Sequence, residues 1–149
     1  ARIVRGNILP LTNFDADKYD ALILPGGFGA AKNLSGYAIN SSNYNINPDV
    51  KNAVLKMVEA NKPIGALCIA PVILAKLIKN AIVTVGSDVD SIKSIEKLGA
   101  THIVTGQTQI TVDVKNKLVT SPCYMLGASI TQIAQSAQNV VNQILKLIG

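Results

Sequence analysis

The chain has no tryptophan, 2 phenylalanines, 4 tyrosines and a single histidine in its 149 residues. A core must therefore be aliphatic, and chemistry that needs a pair of histidines is excluded. Cysteine is as scarce. Two, Cys68 and Cys123, are too few for a disulfide framework, and with one histidine they lack zinc-site spacing. No metal is expected, and a disulfide between the two runs against the reducing compartment their scarcity suggests. Charged residues make up 15% of the chain, so Asn, Ser, Thr and Gln must supply much of the surface. No apolar run reaches the roughly 20 residues that cross a bilayer, and no signal peptide precedes the first strand. The expectation is a cytoplasmic protein without membrane contact. A net charge of +5 raises the question of nucleic acid. The lysines are scattered, without a basic block or interleaved aromatics, so no nucleic-acid binding is expected.

What is present fits one α/β domain. Apolar residues are 48% of the chain, enough for a sizeable core at this length. Ile8 to Leu11 reads as a short strand. Ala21 to Leu24 is a continuous apolar run closed by Pro25-Gly26-Gly27, which predicts a fully buried parallel strand entering a glycine turn. Ala30 to Leu34 can begin a helix, and Asn40 to Asn47 is a polar loop. Pro48 opens an amphipathic helix, with Val50, Ala53, Val54, Met57 and Val58 at helical spacing. Strands follow at Ile64 to Ile69, Ile82 to Val85 and Thr101 to Thr105. Between them lie helices over Val72 to Ile78 and Asp90 to Leu98. Thr108 to Asp113 and Lys117 to Thr120 flank a hairpin turn. A long amphipathic helix runs from Leu126 onward. Alternation of this kind predicts a three-layer sandwich with a mostly parallel sheet and a late antiparallel hairpin.

In such a fold ligands meet the carboxyl ends of the strands. Those ends carry Gly26-Gly27, Cys68-Ile69 and Gly86-Ser87-Asp88. Cys68 stands where a strand runs straight into a helix opened by Pro71, with small residues Ala66 and Ala70 two positions to either side. This is the layout of a nucleophile elbow with sulfur in place of oxygen. The field of a helix N-terminus there favours thiolate. Gly26-Gly27-Phe28-Gly29 fits neither the Walker pattern nor the dinucleotide fingerprint, where Lys32 occupies a position that needs a small residue. No cofactor is therefore expected. A better reading is an oxyanion hole, with the Gly27 amide partnered by that of Ile69, the residue after the nucleophile. Gly26, Ser87 and Asp88 are candidate substrate-binding residues. A base is harder to find. His102 lies within a strand and reads as structural, and a carboxylate at Asp88 would raise a neighbouring thiol pKa.

The segments Ala21 to Leu34, Pro63 to Pro71, Thr84 to Asp90 and Val119 to Leu126 together resemble the PfpI-type branch of the class I glutamine amidotransferase-like superfamily. Within it they are most similar to the ElbB-type (enhancing lycopene biosynthesis) glyoxalase group. The resemblance runs from end to end. It implies a flavodoxin-like sandwich, usually a homodimer, acting without cofactor on small reactive aldehydes such as glyoxal. By motif it makes Cys68 the nucleophile, with Gly27 and Ile69 as oxyanion donors. Relatives also carry a Glu on an early strand-to-helix turn, and none here matches it. The resemblance thus implies one domain over residues 1–149 that lacks its first strand-helix segment. The chain lacks an initiator Met, which leaves a processed terminus and a truncation both open. Two further readings stand beside the glyoxalase: a redox-sensing or regulatory protein that keeps the elbow, and a glutaminase subunit, which the missing His–Glu pair disfavours.

Overall fold

The computed structural model describes residues 4–149. Six strands and four α-helices follow in the order β1 (Leu22–Leu24), α1 (Pro48–Glu59), β2 (Ile64–Leu67), α2 (Pro71–Leu77), β3 (Ile82–Val83), α3 (Val89–Lys97), β4 (Thr101–His102), β5 (Thr111–Asp113), β6 (Leu118–Ser121) and α4 (Ile130–Ile148). The main sheet has the order β1-β2-β6-β5; its first three strands are parallel and β5 runs antiparallel to β6. The architecture is the α/β, flavodoxin-like arrangement expected, with the late antiparallel pair where the hairpin signal lies.

β3 and β4 form a separate parallel pair. Side chains join it to the main sheet. The Ile82 amide donates to Asp113 Oδ2 at 2.9 Å and the Thr84 amide to Thr120 Oγ1 at 2.9 Å. These two acceptors stand where a strand's carbonyls would. Thr84 and Thr105 hydroxyls share a further bond at 2.7 Å. The strands predicted over Ile82 to Val85 and Thr101 to Thr105 are correspondingly shorter, because side chains take over from the ladder.

Apolar periodicity determines the layers. Val50, Val54 and Met57 of α1, Ile73 and Leu74 of α2 and Ile95 of α3 meet Ile64 and Ala66 of β2 in the larger core. On the other face, Val140 and Ile144 of α4 close over Val119 and Leu67. The approach is tight: a Cβ on Gly65 would lie 2.6 Å from Ile144 Cδ1. α1 begins at Pro48 with Asn47 as its cap, its side chain accepting the Asp49 amide at 2.9 Å. α3 ends at Lys97, and Gly99 two residues beyond it turns the chain away with φ of +80°.

Three expectations are corrected. Ile8 to Leu11 is not a strand; Ile8 and Leu9 are exposed and a single 3-10 turn follows at Leu11–Asn13. Pro10 supplies no amide to a ladder there. β1 is an edge strand, so Ile23 is 37% exposed instead of fully buried. The last helix starts at Ile130, where Ser129 and Gln132 form a capping box, and a 3-10 turn occupies Cys123–Met125. Among the described residues no helix is long and apolar enough to cross a membrane.

Candidate active site

All four residues of β2 are buried, and the strand ends by handing the chain to Cys68. The Cys68 backbone is left-handed, with φ of +59°. Such a conformation is uncommon for a residue with a side chain and marks a sharp, strained turn. Two bonds hold it. The Cys68 amide donates to the Ser121 carbonyl of β6 at 3.0 Å, and the Ala70 amide reaches back to Leu67 at 3.0 Å. Pro71 then starts α2 with no amide to satisfy. The thiol is left half-buried.

The glycine turn after β1 presses against this elbow. Gly26 has φ of +89°, and a Cβ there would sit 2.5 Å from the Leu67 carbonyl oxygen and 2.8 Å from Cys68 Cβ. Only glycine fits. Gly27, with φ of +81°, faces open space instead. Among the described residues, neither the Gly27 nor the Ile69 amide is donated to an internal acceptor. Two free N–H groups therefore flank the elbow, whereas the Cys68 amide is already committed to Ser121.

The third turn packs on the loop after β6. Gly86 is wedged against the loop after β6, where a Cβ would lie 2.9 Å from both Pro122 Cβ and Leu126 Cδ2. Beyond it, Ser87 and Asp88 are exposed. Asp88 caps α3, accepting the Ser91 amide at 3.0 Å. Its carboxylate makes no contact that links it to Cys68.

His102 has a structural task. Its Nε2 accepts the Val85 amide at 3.1 Å, which requires that nitrogen to be unprotonated. Burial lowers its pKa, and the nearby Glu96 carboxylate opposes this. It is not placed as a base for Cys68. Glu59 closes α1 and Glu96 lies in α3. No three His, Cys, Asp or Glu side chains among the described residues form a metal-sized group.

Two further residues complete the surroundings of the site. One is Cys123, buried at the end of β6 with φ of +46°. Burial pushes its thiol pKa up, a bond from the Tyr124 amide pulls it down, and the charge of Cys68 pushes it up again. The other is Asp113, 1% exposed, whose carboxylate also accepts from the Asn116 amide and Nδ2. Cys123, in Thr120 to Tyr124 ahead of the final helix, is placed by the sequence where it could approach the elbow from the neighbouring loop. A lone acidic residue at a hairpin gives no such signal for Asp113.

The DJ-1/PfpI family model matches residues 8–124. The ES1 protein homolog, mitochondrial, of Rattus norvegicus is 40% identical across all of this chain. The human glutamine amidotransferase-like class 1 domain-containing protein 3, mitochondrial, is 39% identical across all of it. The chain spans 59% of the length of each of these two relatives. Among solved structures, an isoprenoid biosynthesis protein with an amidotransferase-like domain from Ehrlichia chaffeensis superposes with a TM-score of 0.91 at 31% identity, covering 100% of this chain and 68% of that one. Drosophila melanogaster DJ-1beta shares the fold, with a TM-score of 0.55 at 21% identity over 94% of this chain and 69% of that one. The cytoplasmic expectation is overturned, since the rat and human relatives and a Danio rerio ES1 protein are mitochondrial by name. Free cysteines report on redox conditions and not on a compartment, so composition had no means of separating the two. The chain belongs to the DJ-1/PfpI family.

Proposed function

We propose that this chain carries the nucleophile half of an ElbB-type, cofactor-independent glyoxalase site. The observation that carries the proposal is the strained Cys68 elbow flanked by two undonated amides, those of Gly27 and Ile69. The Cys68 thiolate adds to an aldehyde carbon of glyoxal. The carbonyl oxygen takes up the electron pair and becomes a hemithioacetal oxyanion, which the two amides bind. A proton then moves from the carbon bearing sulfur to its neighbour, giving a thioester that water hydrolyses to the hydroxy acid. Hydrolysis frees the thiol, and the conversion is redox-neutral overall. The proton transfer needs a base that none of the described residues places at Cys68. The proposal assigns that step to the longer polypeptide seen in the relatives, and the addition step to this chain.

The first step is testable on the chain alone. Glyoxal is expected to protect Cys68 from iodoacetamide in a saturable way, and glycolate formation in the longer polypeptide is expected to disappear in Cys68→Ala. Glycolate formation that survives this substitution, or alkylation of Cys68 at an undiminished rate under saturating glyoxal, overturns the proposal. A redox-sensing thiol is the second reading, favoured by the second cysteine at the end of the adjacent strand.

A further inference from the structure

Cys68 is the first residue past β2, and Cys123 the second past the neighbouring strand β6. β2 and β6 are paired in parallel with Leu67 opposite Ser121. The next residue on one side is Cys68, whose amide still bonds Ser121 at 3.0 Å; the next on the other is Pro122, followed by Cys123. Adjacent strands lie about 4.8 Å apart, and a disulfide needs Cα atoms roughly 4.4–6.8 Å apart. The register sets Cys68 level with Pro122 and Cys123 one residue beyond it, and both cysteines join one apolar cluster. Both backbones are left-handed, at +59° and +46°, so both turn off the sheet at this point. Both side chains pack in the apolar cluster of Leu67, Val119, Val140 and Ile144. Their exposures differ: Cys68 is half-buried, whereas Cys123 is 6% exposed. Burial holds the Cys123 thiol above its ordinary value, and the charge of Cys68 adds to this.

We propose that this pair is a two-cysteine redox site, in which a hydroperoxide oxidises Cys68 and Cys123 resolves the product as an intramolecular disulfide. The inference rests on Cys68 being the reactive thiol, as in the proposed function. Cys68 thiolate attacks the terminal peroxide oxygen and the O–O bond breaks. The sulfur loses two electrons to become a sulfenic acid, and the peroxide leaves as an alcohol, or as water from hydrogen peroxide. Cys123 sulfur then attacks Cys68 sulfur. The S–S bond forms, the S–O bond breaks, and hydroxide leaves with the thiol proton as water. Two thiols and one hydroperoxide thus give one disulfide, one alcohol and one water. Burial suits Cys123 to the second step, because it meets the oxidised sulfur from within and is shielded from the oxidant itself.

The test treats the whole chain with one to a few equivalents of hydrogen peroxide, blocks remaining thiols with N-ethylmaleimide, and reads intact and peptide masses. The wild type is expected to lose two hydrogens, take up no maleimide, and recover both thiols on reduction with dithiothreitol. Cys123→Ser and Cys123→Ala are expected to carry Cys68 onward to the sulfinic acid, a gain of two oxygens that dithiothreitol does not reverse. Oxygen addition at Cys68 with Cys123 still open to maleimide in the wild type overturns this inference and leaves the reactive thiol standing. Failure of Cys68 to oxidise in any of the three proteins overturns the shared premise instead.

Discussion

Gly26 and Gly27 are adjacent, both have positive φ, and a sequence motif treats them as one feature; their surroundings make them unequal. Placing an alanine in left-handed backbone costs roughly 1–2 kcal/mol. At Gly27 that is the whole cost, since no atom lies within 4 Å of the new Cβ. At Gly26 the same strain applies, and the Cβ also meets the Leu67 carbonyl oxygen at 2.5 Å and Cys68 Cβ at 2.8 Å. Neither neighbour is free to move. The Leu67 carbonyl accepts the Ala70 amide, and Cys68 is tied to Ser121. Relief requires β1 to separate from the end of β2, an overpacking cost of about 1–3 kcal/mol. Gly26→Ala is therefore expected to lose about 2–5 kcal/mol and Gly27→Ala about 1–2 kcal/mol. For a domain of this size each kcal/mol lowers Tm by roughly 2–4 °C. Differential scanning calorimetry then separates the variants, and the iodoacetamide rate at Cys68 provides a second readout. Gly27→Ala keeps its amide and leaves that rate within about twofold, whereas Gly26→Ala displaces the elbow and changes it more. Equal Tm losses, or a larger loss at Gly27, refute the steric reasoning.

Two further outcomes follow from the joint between the sheets. Asp113→Ala strands the Ile82 amide and both Asn116 donors; urea unfolding is expected to show a loss of about 3 kcal/mol, and a change under about 0.5 kcal/mol refutes the bridging role. His102 favours its neutral form when folded, so its contribution to stability is present above the unfolded value of about 6.5 and is lost as pH falls from there through the lowered folded value. Unfolding free energy measured between pH 7.5 and 5 should decline less in His102→Gln, and parallel profiles for the two proteins count against it.

The parts of the fold legible in the sequence are those with a strong local signal. Helices α1 and α3 follow from their periodicity and their Pro48 and Gly99 boundaries, and β2 from an apolar run buried on both faces. What the sequence hid depends on position within the sheet. Leu22 to Leu24 reads as interior because edge and central parallel strands have the same composition; only the strand order shows that Ile23 is half-uncovered. Ile8 to Leu11 has strand-like residues but, among the described residues, no strand pairs with it. The elbow was legible because Cys68 lies between a buried strand and a proline-started helix. That Cys123 could approach it from the neighbouring loop was legible too; the level at which the two meet was not, since it depends on a pairing register between residues more than fifty positions apart.

The candidate site is built almost wholly from backbone: two undonated amides, two left-handed cysteines and a glycine that admits no side chain. This composition limits its unaided chemistry. With no base placed at Cys68 among the described residues, these are equipped for one event, attack by sulfur on an electrophile whose oxygen takes up the electron pair. An aldehyde carbon and a peroxide oxygen are both such electrophiles, and the two amides can hold the developing negative oxygen in either case. The outcomes then diverge on what stands beside the sulfur. With an aldehyde the addition reverses until a base moves the proton, so progress depends on a group outside the described residues. With a peroxide the O–O bond is already broken, and the only partner needed is a second thiol, which the register of β2 and β6 places next door. The two proposals therefore differ in what this chain can complete by itself. If the isolated chain forms the disulfide yet makes no glycolate, while glyoxal still protects Cys68, the nucleophile and its oxyanion donors are complete and only the proton relay is lacking.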